Sequence, residues 1–92
     1  MFSTPHPNVI QADAFSVEVL GRTGLRYTDR HTGQTVRIDS ELLAGPAGIA
    51  VYLQSTPTWD SPPEQITEDE RATIAERIRD AFKYLGYDID LT

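Results

Sequence analysis

The sequence predicts an α+β domain: a curved antiparallel sheet of about four to five strands, with one long helix of the C-terminal half packed on one face, in the order ββββαβ. Three observations lead there. One segment carries a sustained helical period, with Ile74, Ile78, Phe82 and Leu85 recurring every three or four residues and Ala75 and Ala81 beside them. Several shorter runs alternate apolar and polar residues with the period of two that belongs to a half-buried strand. Finally, 92 residues are enough for one modest core and too few for two.

Taken in order, residues 1–14 carry Pro5 and Pro7, polar side chains and little periodicity. They read as a flexible tail, leaving 15–92 as the single domain. Phe15-Ser16-Val17-Glu18-Val19-Leu20 alternates and is a strand, turned by Gly21 to Gly24 into a second strand at Leu25-Arg26-Tyr27-Thr28. A loop over Asp29 to Gln34, with Gly33 available for a left-handed residue, leads to Thr35-Val36-Arg37-Ile38-Asp39, where Val36 and Ile38 point inward. These three runs describe an antiparallel meander.

Ser40 to Ala47 is ambiguous: Leu42 and Leu43 suit a helical turn or a strand extension, and Gly45-Pro46 ends either. Gly48-Ile49-Ala50-Val51-Tyr52-Leu53 is the most hydrophobic strand, with Ile49, Val51 and Leu53 on one face and Ala50 and Tyr52 on the other. An acidic, proline-rich lead-in follows, Trp59-Asp60-Ser61-Pro62-Pro63-Glu64-Gln65-Ile66. The helix then opens with Thr67-Glu68-Asp69-Glu70, a capping box in which Thr67 and Glu70 each satisfy the other's backbone amide. Its three acids suit the positive end of the helix dipole. Gly86 stands at the expected stop, and Tyr87-Asp88-Ile89-Asp90-Leu91 alternates as a final strand, with Asp88 and Asp90 outward as a guard against edge pairing.

Composition narrows the function classes. There is no cysteine, hence no disulfide framework and no thiolate metal site. The N-terminus lacks the basic start and apolar run of a signal peptide, and no stretch approaches the roughly 20 apolar residues of a membrane span. The cytosol is the default location, with no membrane partner. The net charge is −6, and from Gln54 to Glu70 there are five acids and no Lys or Arg. Such a field repels phosphate backbones and attracts a basic protein, although the same acids also serve as plain caps and solubilising charge.

No catalytic constellation emerges. His6 lies in the tail and His31 in a turn, without metal-ligand spacing, and there is neither a nucleophile elbow nor a phosphate loop. Glu68, Asp69 and Glu70 are consecutive at a helix start and fan into water, which suits capping better than acid/base work. No cofactor is implied. Trp59 has two readings: a plug closing the end of the sheet, or an exposed anchor for a partner. Arg71 would then stack on the indole or pair with Asp60.

Arg37-Ile38-Asp39-Ser40-Glu41-Leu42-Leu43, the strand Ile49 to Leu53, Trp59-Asp60-Ser61-Pro62-Pro63, Ile66-Thr67-Glu68-Asp69-Glu70-Arg71, and Ala81-Phe82 before Gly86-Tyr87 together resemble the immunity protein 74 family, proteins predicted to neutralise bacterial polymorphic toxins. The most specific element is the tryptophan-proline segment placed just before an acidic helix start with an arginine. The resemblance implies an α+β fold, no catalytic activity and a toxin as partner, and it carries over no contact residues. From the residues themselves, Asp60, Glu64, Glu68, Asp69 and Glu70 form the candidate contact rim, with Trp59 and Tyr52 as candidate anchors. An adaptor domain of a secretion system pairing through a sheet edge, or a small-ligand domain using the hollow of the sheet, stand as alternatives.

Overall fold

The computed structural model describes residues 2–21, 23–42 and 48–91. Strands β1 (Ser3–His6), β2 (Val9–Gln11), β3 (Phe15–Val19), β4 (Leu25–Asp29) and β5 (Thr35–Ile38) form one antiparallel sheet in chain order. A second sheet holds β6 (Ser40–Leu42), β7 (Ile49–Val51) and β8 (Ile89–Leu91), in that spatial order. Between β7 and β8 lie a 3-10 turn (Leu53–Ser55) and the helix α1 (Glu68–Tyr84). The class is α+β, with the meander, the helix in the C-terminal half and the final strand in the predicted order. Ser40 to Leu42 takes the strand option, and Leu43 to Ala47 fall outside the described residues.

The first two strands, at 3–6 and 9–11, lie where a tail was expected. β1 and β2 pair antiparallel, and β2 continues onto β3 in register Ile10 to Val17. The prolines misled the sequence reading: β1 is an edge strand, where Pro5 is tolerated because such a strand pairs on one side only. Ile10 sits in the core at 1% exposure, and the Phe2 ring lies 5.9 Å from Phe15.

The second sheet arises because the chain steps out of β5 at Asp39. The buried Ser40 accepts the Gly24 amide on its hydroxyl at 2.9 Å, and the Asp39 carbonyl accepts from the Tyr52 amide at 2.8 Å. β7 and β8 run parallel, which requires a crossover, and α1 supplies it. The helix packs on both β3 and β8, closing the gap between the sheets. Ile74, Ile78, Ala81 and Phe82 are buried there with Val17, Tyr27, Val36 and Val51. Each large side chain contributes about 1.5–3 kcal/mol by burial.

Both helix ends are as the sequence specifies, with one shift. Thr67 and Glu70 form the reciprocal capping box, at 3.1 and 2.9 Å. At the other end Gly86 takes φ +88°, and the Gly86 and Tyr87 amides donate to the carbonyls of Lys83 and Phe82, both at 2.9 Å. This motif makes Leu85 the C-cap. Leu85 is therefore 40% exposed instead of completing the buried stripe.

Candidate functional site

The lead-in from Pro57 to Ile66 closes on itself and clamps the free edge of β5. Trp59 donates its amide to the Glu64 carbonyl at 2.7 Å, and Ile66 to Pro57 at 3.0 Å. Toward the sheet, the Thr35 amide donates to Ser61 O and the Asp60 amide to Thr35 O. The next outward amide of β5, on Arg37, donates to the Asp60 carboxylate at 2.6 Å. The edge that would otherwise offer unpaired amides to a second chain is thus covered, by Ser61 at Thr35 and by Asp60 at Arg37.

Trp59 lies at the plug position, 3% exposed, its ring 6.0 Å from that of Tyr27. It ends a ladder of aromatic contacts: Tyr84 to Phe2 at 5.4 Å, Phe2 to Phe15 and Phe15 to Tyr27 each at 5.9 Å, then Tyr27 to Trp59. Among the described residues, its Nε1 is a buried donor without a partner.

Arg71 neither stacks on the indole nor pairs with Asp60. Its Nη1 donates to the carbonyls of Leu53 at 2.6 Å and Thr56 at 3.0 Å, fastening the 3-10 turn to the helix. Stacking falls instead to Arg77, which the sequence reading missed. Its guanidinium carbon sits 5.3 Å from the Phe15 ring centroid, and its Nη1 donates to the Tyr27 hydroxyl at 2.8 Å and lies 3.9 Å from the Asp29 carboxylate. The available signal was position: Arg77 flanks the apolar stripe next to Ile78. Burial raises the Tyr27 pKa, and Arg77 opposes that rise.

Three candidate residues come together. Trp59, Asp69 and Glu70 line an open cleft of about 230 Å³ with Tyr27, Asp29 and Arg77. Glu68 faces the other side of the helix, where a cleft of about 200 Å³ runs between Arg71, Leu53 and Leu91 of β8. Glu64 is held by Gln34 at 3.1 Å. Tyr52 stands apart on the second sheet, donating its hydroxyl to Glu41 at 2.9 Å. That hydrogen bond is the main cause of its raised pKa, with the nearby Asp90 charge adding to it. His31 occupies the β4–β5 turn, its amide held by the Asp29 carboxylate at 2.9 Å.

The immunity protein 74 family model matches residues 18–92, leaving out only β1, β2 and the start of β3 among the elements. The chain belongs to the immunity protein 74 family. No curated protein and no solved structure matches it. The family match takes in the edge-covering Asp60, the capping box, both clefts and the whole second sheet. Among the described residues no helix is long and apolar enough to cross a membrane, and no group of three or more His, Asp or Glu is placed to hold a metal ion.

Proposed function

We propose that this member of the immunity protein 74 family binds and neutralises a cognate bacterial toxin in the cytosol by non-catalytic contact, covering the toxin's active surface. The observation that carries this reading is the family match over residues 18–92. Charge supports it: Lys and Arg are absent from Gln54 to Glu70, and Glu68 and Asp69 stand exposed at the helix start, where a basic partner would be drawn in. Of the candidate rim, Glu68 and Asp69 are the best contacts, because Asp60 and Glu64 are engaged with β5 and Gln34, and Glu70 with its cap. Trp59 supports the site from below as packing, and Tyr52 remains available as an anchor.

The test is co-expression with candidate toxin domains from the source genome. Protection of the cells, together with a stoichiometric complex whose association slows as salt rises, is the expected result. Toxicity unchanged by the chain, with no complex formed by the purified pair, would refute neutralisation.

A further inference from the structure

Across the outer face of the second sheet, register aligns Glu41 of β6 with Ala50 of β7 and Ala50 with Asp90 of β8. Glu41 and Asp90 are exposed on either side of Ala50, which is 4% exposed, so two carboxylates share one row across the sheet. Tyr52 joins this row through its hydrogen bond to Glu41. Asp88, just ahead of β8, is exposed, as is Asp90, while Ile89 and Leu91 pack toward the core. Tyr87 lies beside Gly48 at the entry to β7 and is 53% exposed. The exposed large hydrophobics of the described residues, Tyr84, Leu85 and Tyr87, all fall within this one short stretch. No Lys, Arg or His occurs between Arg37 and Arg71 or after Lys83, so every strand of this sheet is free of basic residues.

We propose that the outer face of the second sheet is a docking surface for a basic protein partner, with Tyr87 and Tyr52 as anchors and Glu41, Asp88 and Asp90 as its charged rim. This rests on the toxin-binding reading and names a surface for it. Exposed tyrosines contribute large contact area at low entropic cost, and a rim of one sign selects an oppositely charged partner.

The experiment is surface plasmon resonance with the inactivated toxin domain from which co-expression shows protection, against wild type, Tyr87→Ala and the double variant Asp88→Asn/Asp90→Asn. Circular dichroism melts establish that each variant is folded. Tyr87→Ala should weaken binding by about 10-fold or more, mainly through faster dissociation. The double variant should lower the association rate and flatten its salt dependence. Should Tyr87→Ala fail to fold, Tyr87→Ser and Glu41→Gln address the same surface. Wild-type affinity in all of these folded variants, with loss in Glu68→Gln/Asp69→Asn, overturns the second-sheet surface and leaves neutralisation standing. No binding by the wild type overturns both.

Discussion

The outer faces of the two sheets are built on the same plan and carry opposite chemistry. Across the first, register aligns Glu18, Arg26 and Arg37, and the charges are answered at home: Arg26 bonds Glu18 at 3.1 Å and Arg37 bonds Asp39 at 2.6 Å. Across the second the equivalent row is Glu41, Ala50 and Asp90, with no base in any strand. Exposed ion pairs such as those of the first sheet add little stability, but they leave little field to attract a charged partner. The second sheet has the field and, just ahead of β8, the exposed Tyr87. On the proposed reading, the first sheet is the scaffold and the second the surface that a partner would read.

Substitutions can break this division, and the largest effects belong to the scaffold. Ile78→Ala, at 0% exposure beneath both sheets, should cost about 2–5 kcal/mol in urea denaturation. A loss below about 0.5 kcal/mol would mean that the helix does not seal the two sheets together. Thr67→Ala removes the capping box and should cost about 1 kcal/mol by the same measurement. Asp60→Ala leaves the outward Arg37 amide unbonded at the edge of β5; about 0.5–1.5 kcal/mol should be lost, with faster exchange of that amide by NMR. On the second sheet, Asp88→Asn/Asp90→Asn should change stability by no more than about 0.5 kcal/mol, since neither side chain is buried. A large loss there would make these acids structural.

Tyr27 adds a pH test of the scaffold. Its pKa is raised by burial in the fold, so the folded state favours the neutral phenol. The stability this contributes is complete below the unfolded value, about 10, and is lost as pH rises through the higher folded value. Melts taken from pH 9 to 11.5 should therefore show a decline that is shallower in Tyr27→Phe. An equal slope in the two proteins would remove Tyr27 from the account.

How much of this the sequence carried depends on how local each feature is. The capping box, the Gly86 stop and the alternation of Phe15, Val17 and Val19 involve residues a few positions apart, and all were readable. β1 was missed because Pro5 and Pro7 speak of coil unless the strand is known to be an edge. The separate second sheet was missed because the parallel pairing of β7 with β8 joins residues some 40 positions apart through the helix, and nothing in either run signals its partner. The site divides in the same way. The acids of Gln54 to Glu70 were visible as a charge run, but their duties were not. Asp60 meets the Arg37 amide and Glu64 meets Gln34 only after folding, and Arg77 reaches Tyr27 across 50 positions. Leu85 followed the apolar period faithfully, and one turn of capping geometry moved it to the surface.

The most direct test of the division between scaffold and surface is carboxyl footprinting of the chain with and without the inactivated toxin, read by mass spectrometry. Glu41, Asp88, Asp90, Glu68 and Asp69 should lose reactivity in the complex while Asp13 and Glu18 keep theirs. Protection centred on Glu18, with Asp88 and Asp90 still fully reactive, would contradict the account.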